Sequence, residues 1–243
     1  FLASMLADQP LQLRLAAVRA LQRSADARKR QPLIALWQRD EPLPLRISAL
    51  IAASYPPRDA RKDPTVVACY RRILRDQRQL VRNPKIMRAL GELHIREAAP
   101  LVMKELSDPQ LKYLAVESLG KMRATDAVPE LLTLLLKNES WVMNRQVCQA
   151  LSRIRPSEAA GTLARCFRET SPDGDRDSWD RTLFIVLAMT RIGGDEVFNA
   201  FADAITDPVR RDFALFGLHR MTGASVAASP RRAQAACCTP LAF

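Results

Sequence analysis

The residues best suited to chemistry lie in one stretch, Ser171-Pro172-Asp173-Gly174-Asp175-Arg176-Asp177-Ser178-Trp179-Asp180. Asp173, Asp175 and Asp177 alternate as in the opening of a calcium loop, where spaced carboxylate oxygens meet a hard cation. Position six of such a loop would be Ser178 where glycine is needed, and position twelve Phe184 where a bidentate glutamate belongs, so no metal site is predicted. The two histidines, His94 and His219, each fall near the end of an expected helix in unrelated parts of the chain. That argues against a histidine dyad or a His-rich metal site and places both at the negative pole of a helix. Among the five cysteines, Cys69, Cys148 and Cys166 sit in helical stretches as small apolar residues, and Cys237 and Cys238 are adjacent near the end. Their spacing fits neither zinc nor a secreted disulfide framework, which favours a reducing, cytoplasmic setting. Gly193-Gly194 lacks the preceding strand of a phosphate loop and reads as a helix stop. No catalytic residue and no cofactor are expected.

The elements that would position these residues repeat. A basic residue returns every 30 to 36 positions, just inside an apolar run: Arg14, Arg46, Arg82, Lys112, Arg145, Arg181 and Arg211. An acidic or amide residue precedes each by a few positions: Asp8, Asp40, Asp76, Asp108, Asn138, Asp175 and Asp207. Such a period marks a helical repeat array. After the turn, Leu111, Leu114, Ala115, Leu119 and Met122 form one stripe of an amphipathic helix. A second helix follows with the stripe Val128, Leu131, Leu132, Leu135 and Leu136. Pro129 sits in its first turn, where a missing N–H costs nothing, and Pro32, Pro64 and Pro100 hold the same place in earlier copies. Eight glycines and 6 % aromatic residues favour helices over sheets.

The pattern D-P-x-x-x-x-R before A-x-x-A-L-G, followed by P-x-L-x-x-L-L, resembles HEAT repeats, most closely the short bacterial variety also found in phycobilin lyase subunits. The resemblance implies an all-α fold, a right-handed α-solenoid of about seven HEAT-like helix pairs, and work as an interaction scaffold. It also implies that the Asp and Arg markers bond between neighbouring repeats and that second helices line the concave side. Ser178-Trp179-Asp180 is similar to a fragment of the HEAT-like alkylpurine DNA glycosylases, which place a tryptophan and an aspartate beside an extruded nucleotide. That family's aromatic-rich pocket has no counterpart here, and Trp37, Trp141 and Trp179 are expected to pack the core.

One continuous repeat body is expected over residues 1–222, followed by a tail over 223–243 that is rich in Ala, Ser, Pro and Arg, either disordered or read out of frame. Phe1–Asp8 reads as the end of a second helix, so earlier repeats are expected before it. No apolar run approaches the roughly 20 residues of a membrane span.

Charge is the main functional clue. Residues 1–100 hold 19 Lys or Arg against 9 Asp or Glu, whereas residues 101–243 hold 18 against 17. Arg28, Lys29 and Arg30 start one second helix, and Arg71, Arg72, Arg75 and Arg78 share one face of the next. These seven cations, with Asp173, Asp175, Asp177, Trp179 and Asp180 of an acidic loop, are the predicted partner-binding residues. Such a surface attracts a polyanion or an acidic protein, with an affinity that falls as salt rises. The leading reading is a non-catalytic adaptor that binds its partner, an acidic protein, on its concave face, with a basic N-terminal half. The alternatives are a nucleic-acid-binding or glycosylase-like HEAT protein using Trp179 and Asp180, and a lyase-like accessory subunit.

Overall fold

Polar and proline-bearing turns cut the chain into short helices in a computed structural model that describes residues 6, 9–24, 26–172 and 176–223. α-Helices and 3-10 turns make up the regular structure, and no strand occurs among the described residues. The chain gathers into two compact units, Phe1–Arg123 and Ala124–Phe243, a division that the repeat period does not announce. The predicted tail over 224–243 lies outside the described residues, as does Asp8.

The first unit holds α1 (Leu11–Arg23), α2 (Arg30–Gln38), α3 (Leu43–Ala53), the short α4 (Pro57–Ala60), α5 (Pro64–Asp76), α6 (Pro84–Glu92), α7 (Ala99–Met103) and α8 (Lys112–Met122). The second holds α9 (Val128–Lys137), α10 (Trp141–Ile154), α11 (Ala160–Glu169), α12 (Arg176–Ile192), α13 (Asp195–Asp203) and α14 (Arg211–Thr222). The first helices of the seven copies are therefore α1, α3, α6, α8, α10, α12 and α14. Within the first unit α1 packs on α3 and α6 on α8, while α2 packs on α3 and α5. Within the second, α10, α12 and α14 pack in succession and α11 packs on α13, so each unit is two layers of helices.

Local chemistry sets the boundaries. The side chains of Asp63, Asn83 and Ser140 accept hydrogen bonds from N–H groups in the first turns of α5, α6 and α10, satisfying donors that a helix start leaves unpaired. Pro64 and Pro84 open their helices with φ already set. Five of the seven first helices, from α6 onward, stop in the left-handed region, at His94 (φ 56°), Arg123 (56°), Arg155 (58°), Gly193 (73°) and Gly223 (69°). Second helices α2, α7, α9 and α11 each follow a 3-10 turn. In three of these turns the last residue, Ala98, Ala127 or Ala159, has no accessible surface, the size that lets the turn press against its neighbours.

The core lies between the layers. Leu33, Leu45, Leu50, Tyr70, Ile86, Leu90 and Leu119 fill it in the first unit. In the second, the fully buried Phe167 and Phe201 meet edge to face at 5.5 Å. Each such side chain contributes roughly 1.5–3 kcal/mol. The expected stripe of α9 is rotated: Val128, Leu131, Leu134 and Leu135 are buried, Leu132 is half-buried and Leu136 is 45 % exposed. Close approach fixes the spacing of the helices. A Cβ on Gly91 of α6 would stand 3.0 Å from the Cα of Ser118 on α8.

Candidate partner-binding surfaces

Four of the seven basic markers, Arg14, Arg46, Arg82 and Arg145, make structural contacts. Arg14 donates through Nε to the Leu6 carbonyl at 2.8 Å and through both terminal nitrogens to Glu41 of the next copy, at 2.9 and 2.6 Å. Arg82 reaches Asp108 at 2.8 Å and Glu105 at 3.3 Å, again one copy on. Arg46 donates to the Trp37 carbonyl at 3.0 Å with its guanidinium 5.0 Å above the indole of the buried Trp37. In the second unit Arg145 lies 5.1 Å over the Phe184 ring of the following copy. The last marker is displaced by one residue: Arg210, not the exposed Arg211, bonds the Phe167 carbonyl and Asp207. The acidic markers also hold turns. Asp108 and Asp207 accept from the backbone N–H groups of Gln110 and Val209. Those bonds, with Arg82 beside Asp108 and Arg210 beside Asp207, hold both carboxyls below the usual range.

The predicted basic cluster divides. Lys29 and Arg30 are buried at 4 % and 9 % exposure, contrary to a surface role. Lys29 donates to the carbonyls of Gln22 and Ser24, and Arg30 to the carbonyl of Ala53 with Asp63 4.0 Å away. Both answer the need of buried carbonyls at helix ends for donors. Burial pushes the Lys29 ammonium below its ordinary value, with Arg30 adding to the effect. Arg28 is exposed and bonded to Asp26. On α5, Arg71, Arg72 and Arg75 share an exposed face as expected, but each has a carboxylate: Arg71 meets Glu97 at 2.8 Å, and Asp76 is shared by Arg72 at 3.4 Å and Arg75 at 3.0 Å. Arg78 lies beyond the end of α5, in the 3-10 turn Arg78–Arg82, and folds back onto the Leu74 carbonyl at 3.0 Å.

The acidic stretch is not the expected loop throughout. Helix α12 begins at Arg176, so Asp177, Trp179 and Asp180 are helical. Asp173 and Asp175 lie outside the described residues. Trp179 is half-buried against Phe213, with ring centres 5.4 Å apart, which accords with the packing role. Asp180 is 3.9 Å from Arg176. His94 accepts from Arg61 through Nε2 at 3.0 Å. Its burial and the nearby Arg61 and Arg123 cations hold the imidazole below its ordinary value.

The feature that sequence reading missed is a cleft of about 310 Å³ in the layer of first helices of the first unit. Its floor is Val18, Ile51, Ala89 and Leu93, and its rim carries Arg19 and Gln22 of α1, Ser48 of α3, Tyr55, and Lys85 and Arg88 of α6. A shallower extension continues along Arg23. The cleft lies where α3 and α6 touch only sparingly, because residues 54–63, with α4, lengthen the connection between α3 and α5. The interval from Arg46 to Arg82 is long, 36 residues against 32 before it and 30 after, but Arg145 to Arg181 is as long, so the sequence alone does not mark the cleft.

Residues 99–179 match the family model for HEAT repeats, a span that runs from the start of α7 into α12. No curated protein matches the chain. No helix among the described residues is long and apolar enough to cross a membrane.

Proposed function

The chain is a HEAT-repeat protein, and from that premise we propose that it is a non-catalytic adaptor whose first unit holds an acidic protein partner. HEAT repeats generally mediate protein–protein contact, and the repeat here spends its recurring charged residues on joining one helix pair to the next. The observation that carries the reading is the division of charge. Residues 1–123 hold 23 Lys or Arg against 12 Asp or Glu, and residues 124–243 hold 14 against 14. The whole net charge of +11 thus belongs to the first unit. A field concentrated in that way steers an acidic partner to one part of the molecule and accelerates the encounter.

The test is co-purification of the full-length protein from its own cells after nuclease treatment. The adaptor reading expects a stoichiometric protein partner that is retained at low salt and released as salt rises. Nucleic acid as the sole bound species, lost on nuclease treatment, would contradict it.

A further inference from the structure

Resting on the adaptor reading, we propose that the cleft between α1, α3 and α6 is the docking site, and that its occupant is an extended acidic segment of the partner protein anchored by one apolar side chain. The surface predicted from sequence, on α5, is a poorer candidate because its arginines are already paired with Glu97 and Asp76. At the cleft the balance is reversed. Among the described residues, Arg19, Arg23, Lys85 and Arg88 are exposed, and their side chains have no carboxylate or hydrogen-bond partner. Glu92, the one acidic residue in the lining, is held by Lys121, which also bonds Glu117. The rim is therefore a set of cations with free valence around a single committed carboxylate.

Beneath the rim the floor is apolar and firm. Ile51 and Ala89 keep some accessible surface over the nearly inaccessible Val18 and Leu93, and Ser54 at the edge is pinned by its hydroxyl to Tyr70 at 2.9 Å and to the Leu50 carbonyl at 2.8 Å. Tyr70 has no accessible surface, so this wall is part of the core and needs no rearrangement to receive a ligand. An apolar centre inside a charged rim is the anatomy of a protein-binding hot spot.

The shape also separates ligand classes. A small inorganic anion would leave the apolar floor uncovered, and the first N–H groups of α6 are occupied by the Asn83 side chain. A nucleic-acid strand needs successive aromatic faces for stacking, and the lining offers one, the 40 % exposed Tyr55. A peptide with acidic residues on either side of an apolar one matches both rim and floor.

The experiment uses a fluorescein-labelled synthetic peptide of Asp and Glu with one central Leu, titrated with the whole protein and followed by anisotropy. Saturable binding is expected at low salt, weakening by about ten-fold or more at 0.3 M salt. Arg19→Glu with Arg88→Glu should weaken it by about ten-fold or more, as charge reversal across an interface does. Arg71→Glu with Arg75→Glu should leave it within about two-fold, and a Leu-to-Ser peptide should bind more weakly. All four arginines are exposed, and circular dichroism of each variant checks that the helices persist. Equal loss in both double variants, or loss only in the α5 variant, overturns the cleft assignment and leaves the adaptor reading in place. Preference for duplex DNA over the peptide overturns both. Binding to neither probe overturns the cleft assignment, and the adaptor reading is then decided by co-purification.

Discussion

The tightness of the layers can be tested by adding one methyl group to α14. Gly217 lies in the interior of this helix, where replacing glycine with alanine ordinarily stabilises by about 1 kcal/mol through backbone entropy. Here the new Cβ would stand 2.5 Å from both Cε2 and Cζ of Phe201, more than an ångström inside normal contact. The ring has nowhere to go, because Phe201 has no accessible surface and its other side meets Phe167 edge to face. Overpacking of this kind costs about 1–3 kcal/mol, and a double contact with a confined ring belongs in the upper part of that range. Gly217→Ala should therefore lower stability by about 1–2 kcal/mol, reversing the sign expected from helix propensity. Urea unfolding followed by circular dichroism measures it, and Phe201→Leu should rescue the alanine variant by making room. Gly161→Ala is the control: its Cβ would meet only the carboxylate of the exposed Glu196, which can swing aside. A stabilised Gly217→Ala protein, or a loss as large in the control, would refute the packing argument.

Three further outcomes follow from the same structure. Leu131→Ala removes a side chain with no accessible surface and should destabilise by about 2–5 kcal/mol in the same urea assay, whereas Leu136→Ala, at an exposed position, should change little. Because His94 is held below its ordinary value in the fold, the unfolded chain takes up a proton first as pH falls past about 6.5, so stability should drop through that window and be flat above it. His94→Gly, which keeps the left-handed turn, should remove this step from urea midpoints collected against pH. Cys148 and Cys166 are each 1 % exposed and burial raises both thiols, so residue-resolved alkylation should spare them in the native protein and reach them in urea.

The helical period was legible because a stripe of apolar residues reports which face of a helix turns inward, and Pro64, Pro100 and Pro129 mark where second helices begin. Depth was harder to read. Lys29 and Arg30 look like surface charges in a basic run, yet long stems let them travel inside to unpaired carbonyls, a demand set by the fold and invisible in the residues themselves. Along α9 the anchors Val128, Leu131 and Leu135 could be widened on either flank of the stripe, and the fold buries Leu134 where the simple stripe chose Leu136. Arg71, Arg72 and Arg75 were correctly placed on one exposed face, but their partner Glu97 is 26 residues from Arg71 and no local pattern pairs them. The cleft was the least legible feature. It arises from two helices held apart by an insertion, and its cations Arg19, Lys85 and Arg88 come from two copies that only the fold brings together.

If the adaptor reading holds, an acidic protein partner sits on the basic first unit. Hydrogen–deuterium exchange of the full-length protein with and without its co-purified partner tests this most directly. Protection gathered on α1, α3 and α6, around Arg19, Ile51 and Arg88, is the expected result. Protection confined to α12–α14, or none anywhere in the first unit, would contradict it.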